Sequence, residues 1–176
     1  MRSDARLVVR DATLADAVAI GRIHVAAWRS AYAGLMPAAY LANIDEQHQA
    51  ERWGRGIERD PRVLVSELAG EVIGFARWGD SRDADAPPAT GELIAINLHP
   101  NAWRLGAGSV LMAEALARLR AAGFREVTLW VVHGNTRARG FYEARGWCAD
   151  GAEVRDDRFR IGALMHELRY RTALSS

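Results

Sequence analysis

One stretch in the second half of the chain places an apolar run, a glycine-containing turn and a helix-forming segment in direct succession. The run 92–98 is short and apolar enough to form a buried strand, and the segment 110–120 is rich in helix formers. Between them, Gly106 and Gly108 allow the backbone to come close to a ligand. The amides of the first helical turn have no partner within the helix, and the positive end of the helix dipole adds to them. This arrangement predicts a binding site for a phosphate or a pyrophosphate.

The composition excludes two common phosphate-binding motifs at this turn. All 23 of the Lys+Arg residues are arginines, so a P-loop that ends in GK[ST] is impossible, and so is Schiff-base chemistry at a lysine. The dinucleotide motif GxGxxG also fails, because Leu111 occupies the position of its third glycine. The phosphate site must therefore be a shorter loop than either of these.

The length and the net charge indicate a single globular domain over residues 1–176. A chain of 176 residues buries a sizeable core without disulfides or metals. A net charge of +1 gives no electrostatic reason to expect a nucleic-acid or membrane partner. No apolar run is long enough to span a membrane, and the N-terminal residues lack the apolar core of a signal peptide. We therefore expect a cytoplasmic protein.

Cysteine and histidine usage agrees with this expectation. The single Cys148 cannot form an internal disulfide, which suits a reducing compartment, and we predict that it is buried in a strand. The five histidines do not have the spacing of metal ligands, so no metal cofactor is expected.

The apolar pattern predicts alternating strands and helices. The strand candidates are 7–10, 62–68, 71–77, 92–98, 125–132, 147–154 and 161–170. The helix candidates begin after Thr13, Pro37, Asp45, Ser109 and Asn135. The strand–helix–strand order in the middle implies a parallel βαβ unit within a mixed α/β sheet, with the ligand at the carboxyl ends of its two strands.

Two segments of the first half carry further expectations. In the first helix, Val18, Val25, Trp28 and Tyr32 recur at helical spacing and predict one apolar face. The segment 79–91 is rich in aspartate and proline, and we predict that it is a flexible loop.

Two motifs in the second half resemble the GNAT superfamily of acyl-CoA-dependent N-acyltransferases. Residues 92–111 are similar to the family's strand, Q/R-x-x-G-x-G/A loop and helix. Residues 129–147 (LWV, then N-x-x-A-x-x-FYE-x-x-GW) are similar to its fifth strand and the helix that follows. A weaker match, 27–37, is shared with one bacterial branch of small GNAT proteins. The resemblance implies a GNAT fold: a mixed central sheet of about six to seven strands, helices on both faces, and strands splayed at the acyl-CoA site.

The resemblance also implies an acetyl-CoA site. Its residues would be Ile96, Leu98, Arg104, Leu105, Gly106, Ala107, Gly108, Ser109, Asn135, Arg139 and Tyr142. The pantetheine arm would pair with the exposed backbone of Ile96 and Leu98, and the Leu98 amide would face the thioester carbonyl as an oxyanion donor. Trp103 replaces the family's usual Gln or Arg, which leaves Arg104 as the only cation expected near the phosphates. A purely structural role would also explain both residues: Asn135 could serve only as a helix cap, and Arg139 could lie on the solvated face of the same helix.

Glu92 is the candidate general base. It lies six residues before Leu98 and hence, by strand alternation, on the same face. Members of the family that the sequence resembles similarly place there a glutamate that acts as the general base, often through water. The alternative is a solvated carboxylate at the start of a strand. His24, His99 and His133 are rival bases.

Tyr142 is the candidate general acid for the departing thiolate, because its helix begins just beyond the second central strand. The alternative is that Phe141 and Tyr142 only form the apolar face of that helix. By resemblance, the acceptor pocket would contain Trp28, Tyr32 and Trp78, although aromatic residues at helical spacing are also typical of a core.

Together these residues predict an N-acetyltransferase that moves an acetyl group from acetyl-CoA to a primary amine by direct attack in a ternary complex. The acceptor would be a small-molecule or peptide amine. The alternative is a non-catalytic acyl-CoA sensor or partner-binding module on the same fold, which needs the glycine turn but neither Glu92 nor Tyr142. A homodimer is expected from family habit alone.

Overall fold

The computed structural model describes residues 6–157 and 159–174. Its strands are β1 (Leu7–Asp11), β2 (Val63–Leu68), β3 (Glu71–Asp80), β4 (Thr90–Leu98), β5 (Glu126–Val132), β6 (Cys148–Asp156) and β7 (Met165–Ala173). Its α-helices are α1 (Ala17–Ala31), α2 (Ala38–Asn43), α3 (Glu46–Arg59), α4 (Ala107–Ala121) and α5 (Thr136–Glu143). The seven strands form one sheet in the order β1-β2-β3-β4-β5-β7-β6. Neighbouring strands are antiparallel except β4 and β5, which are parallel. The predicted mixed sheet with a central βαβ unit is confirmed.

Helices cover both faces of the sheet. On one face, Leu111 and Leu119 of α4 pack with Leu93 of β4 in the largest apolar cluster. On the other face, Ile20 and Ile57, from α1 and α3, pack against β2 and β3. Alternation along each strand directs apolar side chains to both layers, which is why the sheet is buried on both sides.

The parallel strands β4 and β5 pair over a short distance and then separate. Residues Thr90–Glu92 pair with Glu126–Thr128 in the parallel ladder. Within the described ranges, residues 93–98 of β4 have no ladder partner on β5. A register shift between β3 and β4 pairs Arg77 with Ala95 but Trp78 with Leu93, so β4 carries one extra residue there. Such a bulge bends and twists a strand, which is consistent with the parting of β4 from β5.

The bulge also changes which side chains share a face. Leu93 and Ile96 both pack against the α4 layer, and Leu98 approaches Gly108 of α4. By alternation, Glu92 lies on the opposite face, toward α1, where Ala95 also packs. The prediction that Glu92 and Leu98 share a face is therefore wrong, because the extra residue inverts the alternation between them.

Several local predictions are confirmed at the helix starts. Thr13 and Asp16 form the capping box that precedes α1. The Asp45 carboxylate accepts the His48 amide at 2.7 Å, and the Asn135 side chain accepts the Ala138 amide at 3.2 Å. These caps depend on neighbouring residues alone, which is why the sequence reveals them.

Other local predictions differ from the structure. Val18 is 74% exposed, because α1 turns Ile20, Ile23 and Val25 toward the sheet instead. Cys148 lies in a strand as predicted but is exposed, since β6 is an edge strand of the sheet. Among the described helices, none is long and apolar enough to cross a membrane.

The segment predicted as a flexible loop is shorter than expected and is held by ion pairs. β3 continues to Asp80 and β4 begins at Thr90, so the β3–β4 loop is residues 81–89. Arg169 of β7 contacts Asp83 at 3.2 Å and Asp85 at 2.7 Å. The sequence gives no indication that Arg169 contacts this loop. The arginine is distant along the chain and meets the loop only in the folded protein.

Asp16 is the best-defined pH-sensitive group of the fold. Its carboxylate accepts two hydrogen bonds from Arg10, both at 2.8 Å, and one from the Thr13 amide at 2.7 Å. The Arg10 contact outweighs the opposing effect of burial and lowers the pKa of Asp16 from 3.8 to about 2. Because the folded-state pKa is depressed, the stabilisation is present above about pH 4 and is lost as pH falls through about 2.

We expect Asp16→Asn to lower the free energy of unfolding at neutral pH by up to about 2 kcal/mol. Solvent screening at the partly exposed Arg10 reduces that figure. Urea titrations at neutral pH and near pH 3 measure it, and the variant should lose less stability between them than the wild type. Asp11→Asn is the control, since the Asp11 side chain is 63% exposed. An equal effect of both substitutions would contradict this account.

Candidate active site

A cavity of about 720 Å³ lies where β4 and β5 separate. Residues 96–98 of β4 and Trp130 and Val131 of β5 form its strand walls. Tyr142 of α5 lines it from the α4 side of the sheet, and Tyr32, next to the end of α1, lines it from the opposite side. The cavity therefore passes between the two strands and connects the two faces of the sheet.

The glycine turn forms one end of this cavity. Gly106 adopts a φ of 82°, in the left-handed region that favours glycine, and supplies no side chain to cap α4. A Cβ on Gly108 would lie 3.1 Å from a methyl group of Leu98 and 3.3 Å from the Phe141 ring. The uncapped first-turn amides of a fifteen-residue helix thus meet the cavity, as an anion site requires.

Most of the residues predicted to hold acetyl-CoA lie in the cavity wall. Those that line it are Ile96, Leu98, Arg104, Gly106, Gly108, Ser109, Asn135 and Tyr142. Leu105 is instead 58% exposed outside it, and Ala107 is buried beneath the turn. Arg139 donates to the Tyr170 hydroxyl at 3.0 Å and to the His133 carbonyl at 3.1 Å, away from the cavity.

The prediction that Arg104 is the only cation near the phosphate site is wrong. Arg137 and Arg145 also line the cavity. The Arg137 guanidinium lies 3.5 Å from the centre of the Trp103 ring, and that of Arg145 lies 3.7 Å from the Phe141 ring. Helical spacing could have indicated Arg137, which lies four residues before Phe141 on α5, whereas Arg145 follows the end of that helix.

Trp103, the departure from the family's loop motif, anchors the loop to β4. Its indole N–H donates to the Leu98 carbonyl at 3.1 Å, and its ring supports the Arg137 guanidinium. Arg104 follows with a φ of 67°, and this left-handed turn leads into Gly106. The tryptophan thus attaches the loop to β4 and supports a cation at the position where the motif it resembles has Gln or Arg.

Glu92 lies just below the point where β4 and β5 part. It is 1% exposed and is paired with Thr128 in the last rung of the parallel ladder. Its carboxylate accepts the Arg82 amide at 3.0 Å and the Arg82 guanidinium at 2.6 Å and 3.0 Å. The solvated alternative is therefore excluded, and Glu92 lies below the cavity without lining its wall.

Burial keeps the two tyrosines that face the cavity in their neutral, protonated form. Burial, followed by the neighbouring Tyr32, raises the pKa of Tyr142 above its ordinary value of 10.0. Burial and then Glu167 raise the pKa of Tyr32 to about 12. Tyr142 also packs against Trp147, with ring centres 6.1 Å apart, so it serves the core and the cavity together.

The three rival histidines have other environments. Burial lowers the pKa of His24 to about 4, and its ring stacks on Trp28 at 4.8 Å. His99 accepts the Asn101 amide at 3.3 Å in the turn after β4. His133 stacks on His166 at 4.7 Å. None of the three is among the residues that line the cavity.

The predicted acceptor aromatics divide between the cavity and the core. Tyr32 lines the cavity, and Trp28 packs edge-on against it at 5.1 Å. Trp78 is 9% exposed and belongs to the main apolar cluster, away from the cavity wall. Trp130, which sequence analysis did not select, lines the cavity, and its indole N–H donates to Asp83 at 2.9 Å.

The described parts of the chain contain no group of three His, Cys, Asp or Glu side chains that could hold a metal ion.

Comparisons with known proteins agree with this geometry. Residues 23–147 match the model of the acetyltransferase (GNAT) family. The chain is 31% identical over 158 residues to the uncharacterized N-acetyltransferase YuaI of Bacillus subtilis (strain 168), covering 90% of this chain and 87% of that protein. The PaiA N-acetyltransferase of Thermoplasma acidophilum, solved in complex with coenzyme A, has a TM-score of 0.73 at 18% identity, covering 96% of this chain and 99% of that one. The putative acetyltransferase YncA of Salmonella typhimurium, solved with acetyl-CoA, has a TM-score of 0.72 at 22% identity over 98% and 96% of the two chains.

The splayed parallel strands and the open helix N-terminus define an acyltransferase fold. The chain belongs to the acetyltransferase (GNAT) family, and it is an acyltransferase enzyme. The fold and the family that the sequence predicts are confirmed.

We expect Arg145→Ala to weaken acetyl-CoA binding about tenfold, because one charge-assisted contact to a phosphate is worth about 1.5 kcal/mol or more. Isothermal titration with acetyl-CoA measures the affinity. Arg139→Ala, on α5 six residues before Arg145, is the control, and it should change the affinity less than about twofold, since Arg139 donates to Tyr170 and does not line the cavity. A larger loss in the control than in Arg145→Ala would contradict the assignment.

Proposed function

We propose that this enzyme transfers an acetyl group from acetyl-CoA to a primary amine by direct attack in a ternary complex. The observation that carries the proposal is the cavity between β4 and β5, which is lined by residues from both faces of the sheet. A donor held on the α4 side and an acceptor entering from the α1 side would meet between the strands. No covalent enzyme intermediate is needed when both substrates are bound together.

On the donor side, the anion site suits the diphosphate of acetyl-CoA. The first-turn amides of α4 would bind the diphosphate, and Arg137 and Arg145 add positive charge beside it. Residues 93–98 offer backbone groups that pair with no β5 residue of the described chain, so a pantetheine arm would bind there as an added strand does. The coenzyme A and acetyl-CoA complexes of PaiA and YncA support this choice of donor.

On the acceptor side, the cavity offers aromatic walls. Tyr32 and Trp130 face it from the α1 side, and Trp28 supports Tyr32. A primary amine has a pKa near ~10, so it arrives as a cation and must lose a proton before it attacks. Aromatic faces attract such a cation. The acceptor class is therefore an amine on a small molecule or a peptide.

Glu92 is the base in this proposal, and it would act through a water molecule because Arg82 already holds its carboxylate. Its position on the α1 face, one rung below the parting of the strands, is on the acceptor side. The amine nitrogen then attacks the thioester carbon, while the Leu98 amide stabilises the oxyanion, an effect worth ~3 kcal/mol in other enzymes. The C–S bond breaks and Tyr142 gives its proton to the departing thiolate, while the nitrogen loses its second proton as the amide forms and this proton restores the Tyr142 phenol.

The direct test is thiol release from acetyl-CoA across a panel of primary amines. It should follow a measurement of the melting temperature with acetyl-CoA alone. A melting shift together with amine-dependent thiol release is the expected result. A melting shift without release for any amine would favour the acyl-CoA-binding alternative, and no shift at all would overturn the donor assignment.

We expect Tyr142→Phe to reduce turnover by about 100-fold with little change in acetyl-CoA affinity, because general acids typically contribute 10²–10⁴-fold. Steady-state kinetics and isothermal titration separate the two quantities. Tyr170→Phe is the control, since Tyr170 is a buried neighbour whose ring lies 6.3 Å from that of Tyr142 but does not line the cavity. Equal losses of turnover and affinity in Tyr142→Phe would indicate a packing role instead.

We expect Glu92→Gln to lose rate mainly at low pH, where the amine is protonated and needs the base, and to approach the wild-type rate near pH ~10. The measurement is the pH profile of turnover with one amine acceptor. Glu126→Gln provides a control, because Glu126 lies in the same ladder but pairs with Arg171. A profile that keeps its shape would remove Glu92 from this role.

A further inference from the structure

Arg169 of β7 is a buried cation that gathers three aspartates. Its side chain is 8% exposed. It contacts Asp83 at 3.2 Å, Asp85 at 2.7 Å and Asp150 at 2.8 Å. Asp83 and Asp85 belong to the β3–β4 loop, whereas Asp150 lies on the neighbouring strand β6. The guanidinium thus fastens the loop to the sheet beside the cavity, and its planar fork holds each carboxylate in a fixed direction.

Asp83 connects this cluster to the cavity. One carboxylate oxygen accepts from Arg169, and the other accepts the indole N–H of Trp130 at 2.9 Å. The Asp83 side chain is 13% exposed, so water competes little for these bonds. Arg169 and Trp130 are also direct cross-strand partners in the β5–β7 ladder, and the guanidinium carbon lies 5.8 Å from the centre of the indole ring.

Trp130 is therefore held by two neighbours while one side of it lines the cavity. Its side chain turns about two torsions, and a fixed N–H bond selects one orientation of the ring. Because Trp130 alternates with Leu129 and Val131, which pack in the α4-side cluster, it faces the α1 side. That is the side on which Tyr32 lies and from which the acceptor would enter.

We propose that Asp83 and Arg169 are positioning residues for the amine acceptor, acting through the indole of Trp130. This inference rests on the proposed function, because it takes the α1 side of the cavity as the acceptor side. Asp83 fixes the edge of the ring, and Arg169 fixes Asp83. The ring then presents a flat, immobile wall against which the carbon skeleton next to the reacting amine packs. A preorganised wall binds a substrate more tightly than a mobile one, since less side-chain entropy is lost on binding.

Asp85 supplies a matched control for Asp83. Both aspartates lie on the same loop and pair with the same arginine, but the Asp85 side chain is 68% exposed and makes none of the contacts that fix Trp130. Substitution of Arg169 itself would leave three carboxylates without their shared cation, and the protein could then fail to fold. The test therefore uses the aspartates.

The first experiment observes the indole group directly and needs no acceptor. In a ¹H–¹⁵N NMR spectrum, the Trp130 indole resonance is identified by its loss in Trp130→Phe. We expect Asp83→Ala to shift that resonance, because the hydrogen bond is lost, and Asp85→Ala to leave it in place. An unchanged resonance in Asp83→Ala, or equal shifts in both variants, would overturn the proposal.

The second experiment measures kinetics with an amine that the wild type acetylates. We expect Asp83→Ala to raise KM for the amine about fivefold or more and to leave KM for acetyl-CoA unchanged. Asp83→Asn, which keeps an oxygen for the indole N–H, should recover most of the loss, and Asp85→Ala should behave as the wild type. The double variant Asp83→Ala/Trp130→Phe should be no worse than Trp130→Phe alone, since contacts in series are not additive.

The two experiments separate this inference from the proposed function. Additive losses in the double variant, or a rise in KM for acetyl-CoA, would overturn the positioning role. If the wild type acetylates no amine, the proposed function fails, and the indole spectrum still decides whether Asp83 orients Trp130.

Discussion

The parting of β4 from β5 is the constraint on which the rest of the structure depends. The two strands share three rungs of parallel ladder, Thr90–Glu92 with Glu126–Thr128, and then diverge. A sheet normally satisfies every backbone group by pairing neighbours, so a gap in its centre leaves donors and acceptors for a ligand. The extra residue in β4 accompanies this divergence, and the helices on both faces keep the remaining sheet intact around it.

All 23 of the Lys+Arg residues in this chain are arginines. The site uses the flat shape of the arginine guanidinium group. Arg137 and Arg145 stack on Trp103 and Phe141 in the wall of the cavity. Arg169 instead contacts aspartates of the β3–β4 loop and of β6. The lysine ammonium group is a point charge without this planarity. Replacing these arginines with lysine would therefore remove the stacked and bidentate contacts.

The sequence predicted the parts of the protein that depend on residues close together in the chain. The glycine turn, the helix caps at Asp45 and Asn135, and the strand–helix–strand order all follow from local propensities. Tyr142 could be predicted because it belongs, with Asn135, to one motif along a single helix. The same helical spacing could also have predicted that Arg137 faces the cavity, and Arg145 lies just after that helix. Trp130 lies on a strand, and nothing in the neighbouring sequence distinguishes it from an ordinary buried residue.

What the sequence alone determined is therefore the fold, the family and the glycine turn that lines the cavity. Only the tertiary structure decided on which face Glu92 lies, since one extra residue in a strand inverts alternation and leaves no compositional trace. It alone decided that Cys148 is exposed on an edge, and that Asp83 meets an arginine 86 positions away. Helix, turn and capping preferences depend on residues close together in the chain. Strand register and long-range ion pairs arise only when separate elements pack together.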